Sequence, residues 1–188
     1  FGPGKVLGIM LPEKDSSPDS ELLARDLAST FSVKAIKEEI TGALSGFGCY
    51  ERRDEAVKRV FPEYDPKTWK MKIGIRQSGL FNNIPPIFYL TVIDPAGNAS
   101  DKILPANEYL QIVAASNFKQ RTRMSMLYYH AEALHYAVVG TPNKHEQEQG
   151  FFVKYGDGAG DVMPIGNLYK TQVYQLAEFL GVPRAIIE

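Results

Sequence analysis

A single cysteine, Cys49, stands in 188 residues. This excludes an internal disulfide and fits a reducing compartment. No apolar run approaches the roughly 18 residues that a membrane span needs, and no signal-peptide pattern stands at the start. Blocks of single-sign charge are missing too. With 21 Lys and Arg against 22 Asp and Glu, the formal net charge is -1, which argues against a nucleic-acid surface built on bulk charge. There is no internal repeat and no low-complexity tract. The chain also opens on Phe1 rather than on a methionine and enters an apolar run within five residues, so it is expected to be part of a longer protein. What is present is an ordinary globular composition, 44% apolar and 23% charged. That length and composition suit one domain with a sizeable core.

The elements follow from pattern and punctuation. "KVLGIML" (Lys5–Leu11) is a short, nearly continuous apolar run closed by Pro12, as in a buried strand of a parallel sheet. Ser17 and Pro18 are an N-cap and a first helical residue, and Leu22, Leu23 and Leu27 give the helix an apolar face. Ser32–Ile36 predicts a second strand and Glu51–Phe61 a helix that stops at Pro62. Residues 62–86 show no clear period. "IFYLTVI" (Ile87–Ile93), the turn residues "DPAGNAS" and the return "DKILP" predict a hairpin. A long helical pattern then runs from about Asn107 to His135, with a break expected near Ala115–Asn117. Tyr136–Gly140 ("YAVVG") predicts another buried strand, and Gly166–Leu180 a helix stopped by Gly181 and Pro183. Strands alternating with helices, apart from one inserted hairpin, favour an α/β layered domain with a mostly parallel sheet. In such sheets ligands gather beyond the carboxyl ends of the strands, where Thr141 lies.

Chemistry is concentrated in "VVGTPNKHEQEQGFFVKYGDGAGD", Val138 to Asp161. A hydroxyl at a strand end, Thr141, can bond a base or a phosphate. Glu146 offers the oxygen ligand that Mg²⁺ prefers. A helix cap followed by a solvent-facing glutamate fits the same pattern. The glycines at 156, 158 and 160 have neither dinucleotide-fingerprint nor Walker spacing, and the acids do not form an EF-hand. They do supply a backbone that approaches a ligand closely, flanked by Lys154, Asp157 and Asp161; a tight surface loop has the same composition. "NFKQRTR" (Asn117–Arg123) packs three cations into five residues. Arg121, with its planar fork, and Lys154 can both address a diphosphate, although a solvated helix face is the usual setting for such a run. Lys170 sits near a helix start, where exposed N–H groups favour phosphate. His130 and His135 do not share a helix face as a metal pair would, His145 stands alone, and Cys49 is not read as a nucleophile.

Taken together, "LPEKDSSPDS", "NFKQRTRM", "VVGTPNKHE" and "GFFVKYGDGAGDVMPIGNLYKTQVYQLAEFLGVP" resemble, in order and spacing, segments of the NAD⁺ synthetases, members of the pyrophosphate-releasing ATP enzymes. The similarity is strongest over 111–187 and fair over 5–30, while 47–106 resembles an insertion found in one branch. It implies a Rossmann-like, adenine nucleotide alpha-hydrolase-like fold, with helices on both faces of the sheet. It also implies ATP-dependent amidation of deamido-NAD⁺ through an adenylated intermediate, with ammonia as nitrogen donor, free or from a glutaminase. By motif match, Arg121, Lys154 and Asp161 are expected to contact deamido-NAD⁺, and Thr141, Lys170, Met10 and Leu11 to contact ATP. Glu146 is expected to hold Mg²⁺. The resemblance further implies a cytoplasmic homodimer, with the helix at 107–135 as candidate interface, although an amphipathic helix of this length equally packs within one subunit.

Two features depart from the family pattern. The family's Ser-Gly-Gly-x-Asp-Ser loop is missing, since "SSPDSE" lacks the glycines, and His145 stands where a small residue is usual. The chain alone is therefore expected to be inactive. Amidation of another carboxylate, and a non-catalytic nucleotide-binding or dimerisation remnant, are the competing readings.

Overall fold

The computed structural model describes residues 2–76 and 87–188. Along the chain run β1 (Leu7–Met10), α1 (Pro18–Thr30), β2 (Lys34–Lys37), α2 (Thr41–Gly46) and α3 (Cys49–Val60). Then come β3 (Lys70–Arg76), β4 (Ile87–Ile93), β5 (Ala99–Ile103) and the long α4 (Ala106–Leu134). Three shorter helices close the chain: α5 (Lys144–Gln149), α6 (Lys170–Leu180) and α7 (Arg184–Ile187). These elements gather into two compact units, one of Phe1–Leu44 with Lys119–Glu188, the other of Ser45–Phe118.

The first unit carries the parallel α/β element. β1 pairs with β2 in parallel, Leu7 opposite Lys34 and Met10 opposite Lys37, and α1 makes the crossover and packs on both strands. The helix starts where the sequence places it. The Ser17 hydroxyl accepts the Asp19 N–H at 3.3 Å, with Pro18 as first helical residue, so one orphan N–H is satisfied and a fixed φ begins the turn. A small core of Met124, Ala131 and Val138, with Leu127, Tyr128 and Ala159 against it, lies under the C-terminal part of α4.

The second unit has its own core. Val57, Phe61, Leu90 and Val92 are wholly enclosed, with Leu104 and Ile112 beside them. The period-2 alternation of β4 sends Leu90 and Val92 to one face, where the antiparallel register sets Ile73 and Met71 opposite them. Phe88 stacks on Tyr109 at a ring separation of 4.1 Å. Burying each of these aliphatic side chains contributes about 1.5–3 kcal/mol. The predicted hairpin is present as β4–β5, with Ile93 opposite Ala99. Asp94 closes its turn by accepting the Asn98 N–H at 2.8 Å, and Gly97 supplies φ 88°.

Four expectations need correction. The hairpin is part of a three-stranded sheet, β3-β4-β5, because β3 adds an edge strand inside a stretch that showed no period. The rest of that stretch, residues 77–86, lies outside the described residues. Among the described strands only β1 and β2 are parallel. Second, α4 is unbroken from Ala106 to Leu134. Ala and Ser at 114–116 are compatible with helix, and the lapse in apolar period marks a change of packing partner. Ala115 is buried in the second unit and its carbonyl accepts the Cys49 thiol at 3.4 Å. Third, Tyr136–Gly140 is not a strand; Val139 makes one isolated parallel bridge with Val162. Its neighbour Val138 spends both backbone groups on Asp161, donating N–H to the carboxylate at 2.7 Å and accepting the Asp161 N–H at 2.9 Å. Fourth, the last long helix begins at Lys170 rather than Gly166. Turns closed by Gly166 N–H to Met163 and Leu168 N–H to Ile165 occupy the intervening residues.

Candidate functional site

The site residues belong to the first unit, and each is placed by a local reason. The three cations of "NFKQRTR" find three anchors on two flanks of α4: residues two apart on a helix point about 200° apart and residues four apart share a face, so Lys119 and Arg123 lie toward β1 and its loop and Arg121 lies away from them. Lys119 pairs with Glu13 at 3.1 Å and Asp15 at 2.6 Å in the loop after β1. The Arg121 Nε donates to the Lys154 carbonyl at 3.0 Å, which binds α4 to the glycine loop. The Arg123 Nε donates to the Leu11 carbonyl at 3.2 Å, at the carboxyl end of β1.

The glycine loop lies against the end of "YAVVG". A side-chain carbon at Gly160 would come within 2.8 Å of the Gly140 backbone, so two chain segments meet where neither has a Cβ. Asp161 fastens this meeting. It takes the Val138 N–H at 2.7 Å and the Tyr128 hydroxyl at 3.2 Å. Burial and this carboxylate together push the Tyr128 phenol above its ordinary 10.0. Asp157 accepts the Val153 N–H at 2.9 Å and closes the loop on itself. Lys154 and Tyr155 are exposed, with the ammonium 5.0 Å from the ring centre.

Glu146 sits in the first turn of α5, where it has a definite structural task. Asn143 and Glu146 form a capping box: Asn143 Oδ1 accepts the Glu146 N–H at 3.2 Å, and Glu146 Oε2 accepts the Asn143 N–H at 2.7 Å. This satisfies two N–H donors at the helix start and leaves Oε1 uncommitted. The same end of α5 is tied to the start of α6. The Lys144 N–H donates to the Leu168 carbonyl at 2.9 Å, the Lys144 ammonium lies 4.4 Å from the Tyr169 ring centre, and the His145 ring lies 5.0 Å from it. A hydrogen bond with Tyr169 raises the Lys144 pKa above its usual value. Lys170 is the first residue of α6 and extends over Tyr174.

Two neighbouring cavities open beside these groups. One, of about 590 Å³, is lined by Met10, Leu11, Ser16, Ser17, Lys37 and Arg123. The other, of about 240 Å³, is lined by Leu11, Gln120, Arg123, Gly140, Thr141 and Asp157. The structure thus brings Met10, Leu11 and Thr141 to two cavities that share Leu11 and Arg123. Arg121 and Lys154 meet each other on the glycine loop. Glu146, Lys170 and Asp161 line neither cavity. Among the described residues no group of three or more His, Cys, Asp or Glu is placed to hold a metal, and no helix is long and apolar enough to cross a membrane. Motif reading gave Arg123 no role. Its separation by two from Arg121 was the available signal, since that spacing puts it on the flank facing β1.

A family model described as NAD synthase matches residues 86–188. The chain belongs to the NAD synthase family. An NH3-dependent NAD⁺ synthetase of Mesorhizobium japonicum is 52% identical over 186 residues, covering 99% of this chain and 58% of that protein. The protein of the same name from Rhizobium rhizogenes is 48% identical, with 99% of this chain and 55% of that protein covered. The chain therefore spans between half and three-fifths of the length of these curated relatives. The fold matches that of the NMN synthetase of Francisella tularensis with a TM-score of 0.62 at 21% identity, covering 97% of this chain and 53% of that one. At that identity the likeness speaks for an α/β, Rossmann-like fold alone.

Proposed function

We propose that the protein containing this chain is an ATP-dependent NAD⁺ synthetase that amidates the carboxylate of deamido-NAD⁺ with ammonia. The observation that carries this is the identity, over 99% of the chain, to relatives named NH3-dependent NAD⁺ synthetase. A deamido-NAD⁺ carboxylate oxygen attacks the α-phosphorus of ATP. A new P–O bond forms, the bond to the β-phosphate bridging oxygen breaks, and pyrophosphate leaves with its charge. Ammonia then attacks the acyl carbon, loses a proton, and expels AMP as the C–N bond is made. Each step gathers negative charge around phosphate, so cations and oriented donors are what the protein must supply.

Arg121 and Lys154, joined at 3.0 Å, are assigned to deamido-NAD⁺ together with Asp161, whose carboxylate also fixes the loop that carries Lys154. Thr141, Met10 and Leu11, on the rims of adjoining cavities, are assigned to ATP, with Lys170 reaching the same nucleotide from the start of α6. Glu146 is assigned to Mg²⁺. One carboxylate with a single uncommitted oxygen fits that ion, which keeps several waters and shares its shell with substrate phosphates. When bound, Mg²⁺ neutralises charge on the phosphates. The enzyme is further assigned to the cytoplasm as a homodimer.

The test is NAD⁺ formation by the full-length protein supplied with ATP, Mg²⁺, ammonium and deamido-NAD⁺. Turnover that requires all four is expected. A protein that turns over a different carboxylate, and leaves deamido-NAD⁺ untouched, refutes the assignment of acceptor.

A further inference from the structure

Among the described residues Arg123 is the one cation that lines both cavities. It is half-buried on α4. Its Nε–H is spent on the Leu11 carbonyl at 3.2 Å, and among the described residues no acid pairs with the rest of the fork. Asp157, on the wall of the smaller cavity, turns its Oδ1 to the Val153 N–H instead. A guanidinium has five donors in one plane. With one fixed at the end of β1, the other four have a set direction. A half-buried cation without an anion is costly, and a bidentate oxyanion is the group whose geometry fits the free side of the fork.

We infer that Arg123 is a binding residue for the triphosphate of a nucleoside triphosphate. It would span the cavity at Met10–Leu11 and the cavity at Gly140–Thr141. This rests on the reading of the protein as ATP-dependent and extends it, dividing the labour of the two arginines. Arg121 faces the glycine loop and the second nucleotide, while Arg123, about 200° around the helix, faces ATP. The Leu11 carbonyl positions the fork, so a lysine at 123 keeps the charge and loses the two-point contact.

The experiment is calorimetric binding of ATP with Mg²⁺, and of adenosine, to the full-length protein without acceptor. Wild type is compared with Arg123→Gln and Arg123→Lys. Loss of one charge-assisted contact predicts ATP binding weakened about 10- to 100-fold in Arg123→Gln. Adenosine affinity is expected to hold within about twofold, and Arg123→Lys to fall between. Should Arg123→Gln not fold, the lysine variant alone decides, by weakened ATP binding with adenosine unchanged. ATP bound equally by wild type and variants overturns the inference and leaves the proposed function standing. So does an equal loss for ATP and adenosine, which marks a purely structural role. Wild-type protein that binds no ATP overturns both.

Discussion

Glu146 has one role that the fold shows and a second that is proposed. Its carboxylate closes the capping box with Asn143, and the same group is the proposed metal ligand. The two roles separate on substitution. Gln accepts the Asn143 N–H as Glu does, so Glu146→Gln is expected to change stability by no more than about 0.5 kcal/mol, while Glu146→Ala loses about 1 kcal/mol. In the full-length enzyme both variants should lose Mg²⁺-dependent adenylation, by about 100-fold or more. Denaturant midpoints alongside pyrophosphate release check this, and full activity in Glu146→Gln would show that the carboxylate only caps. Tyr128 gives a pH signature. Its folded pKa lies above the ordinary 10.0, so the unfolded chain releases the phenolic proton first. The neutral phenol's contribution is whole below about pH 10 and falls as pH rises beyond it. Alkaline unfolding profiles should therefore be steeper above pH 10 for wild type than for Tyr128→Phe or Asp161→Asn; identical slopes would mean that the Tyr128–Asp161 contact is absent in solution.

Among the elements, the glycine loop has the clearest mechanical cause. A methyl at Gly160 would sit 2.8 Å from the Gly140 backbone, and backbone has no rotamer by which to yield. Gly160→Ala is expected to cost about 1–3 kcal/mol and to raise the KM for deamido-NAD⁺, because Lys154 moves with the loop. Thermal unfolding and steady-state kinetics of the variant read the two effects. The elements most legible in sequence are those with local punctuation. Ser17-Pro18 caps α1, Gly97 turns β4 into β5, and Gly181 ends α6 in a left-handed conformation with φ 79°. What escaped depends on partners distant in sequence. "YAVVG" has the composition of a strand, yet Val138 spends both backbone groups on Asp161, far along the chain. β3 carries alternating Met71 and Ile73, but Gly74 and the surrounding turn residues diluted the period. In "NFKQRTR" the sequence singles out only Arg121, with Lys154, for a diphosphate. That Lys119, Arg121 and Arg123 would each find a different anchor follows only when β1, its loop and the glycine loop are folded around α4.

For the molecule as a whole, stability is concentrated unevenly. The largest fully enclosed side chains include Phe61, Val57, Leu90 and Val92 of the second unit. The first unit leaves Phe151, Tyr155 and Phe179 well exposed. Leu90→Ala is therefore expected to destabilise the second unit by about 2–5 kcal/mol while leaving intact the contacts of Arg121, Arg123 and Asp161, all of which lie in the first. Hydrogen exchange resolved by segment checks this: protection should drop across residues 56–76 and 87–112 and hold around Val138 and Asp161. The chemical assignment meets its hardest test in isotope exchange between pyrophosphate and ATP, catalysed by the full-length protein with Mg²⁺ and without ammonia. Label should enter ATP only when deamido-NAD⁺ is present, because the adenylated carboxylate must form and revert. No exchange with deamido-NAD⁺, or equal exchange without it, would contradict adenylation of that substrate.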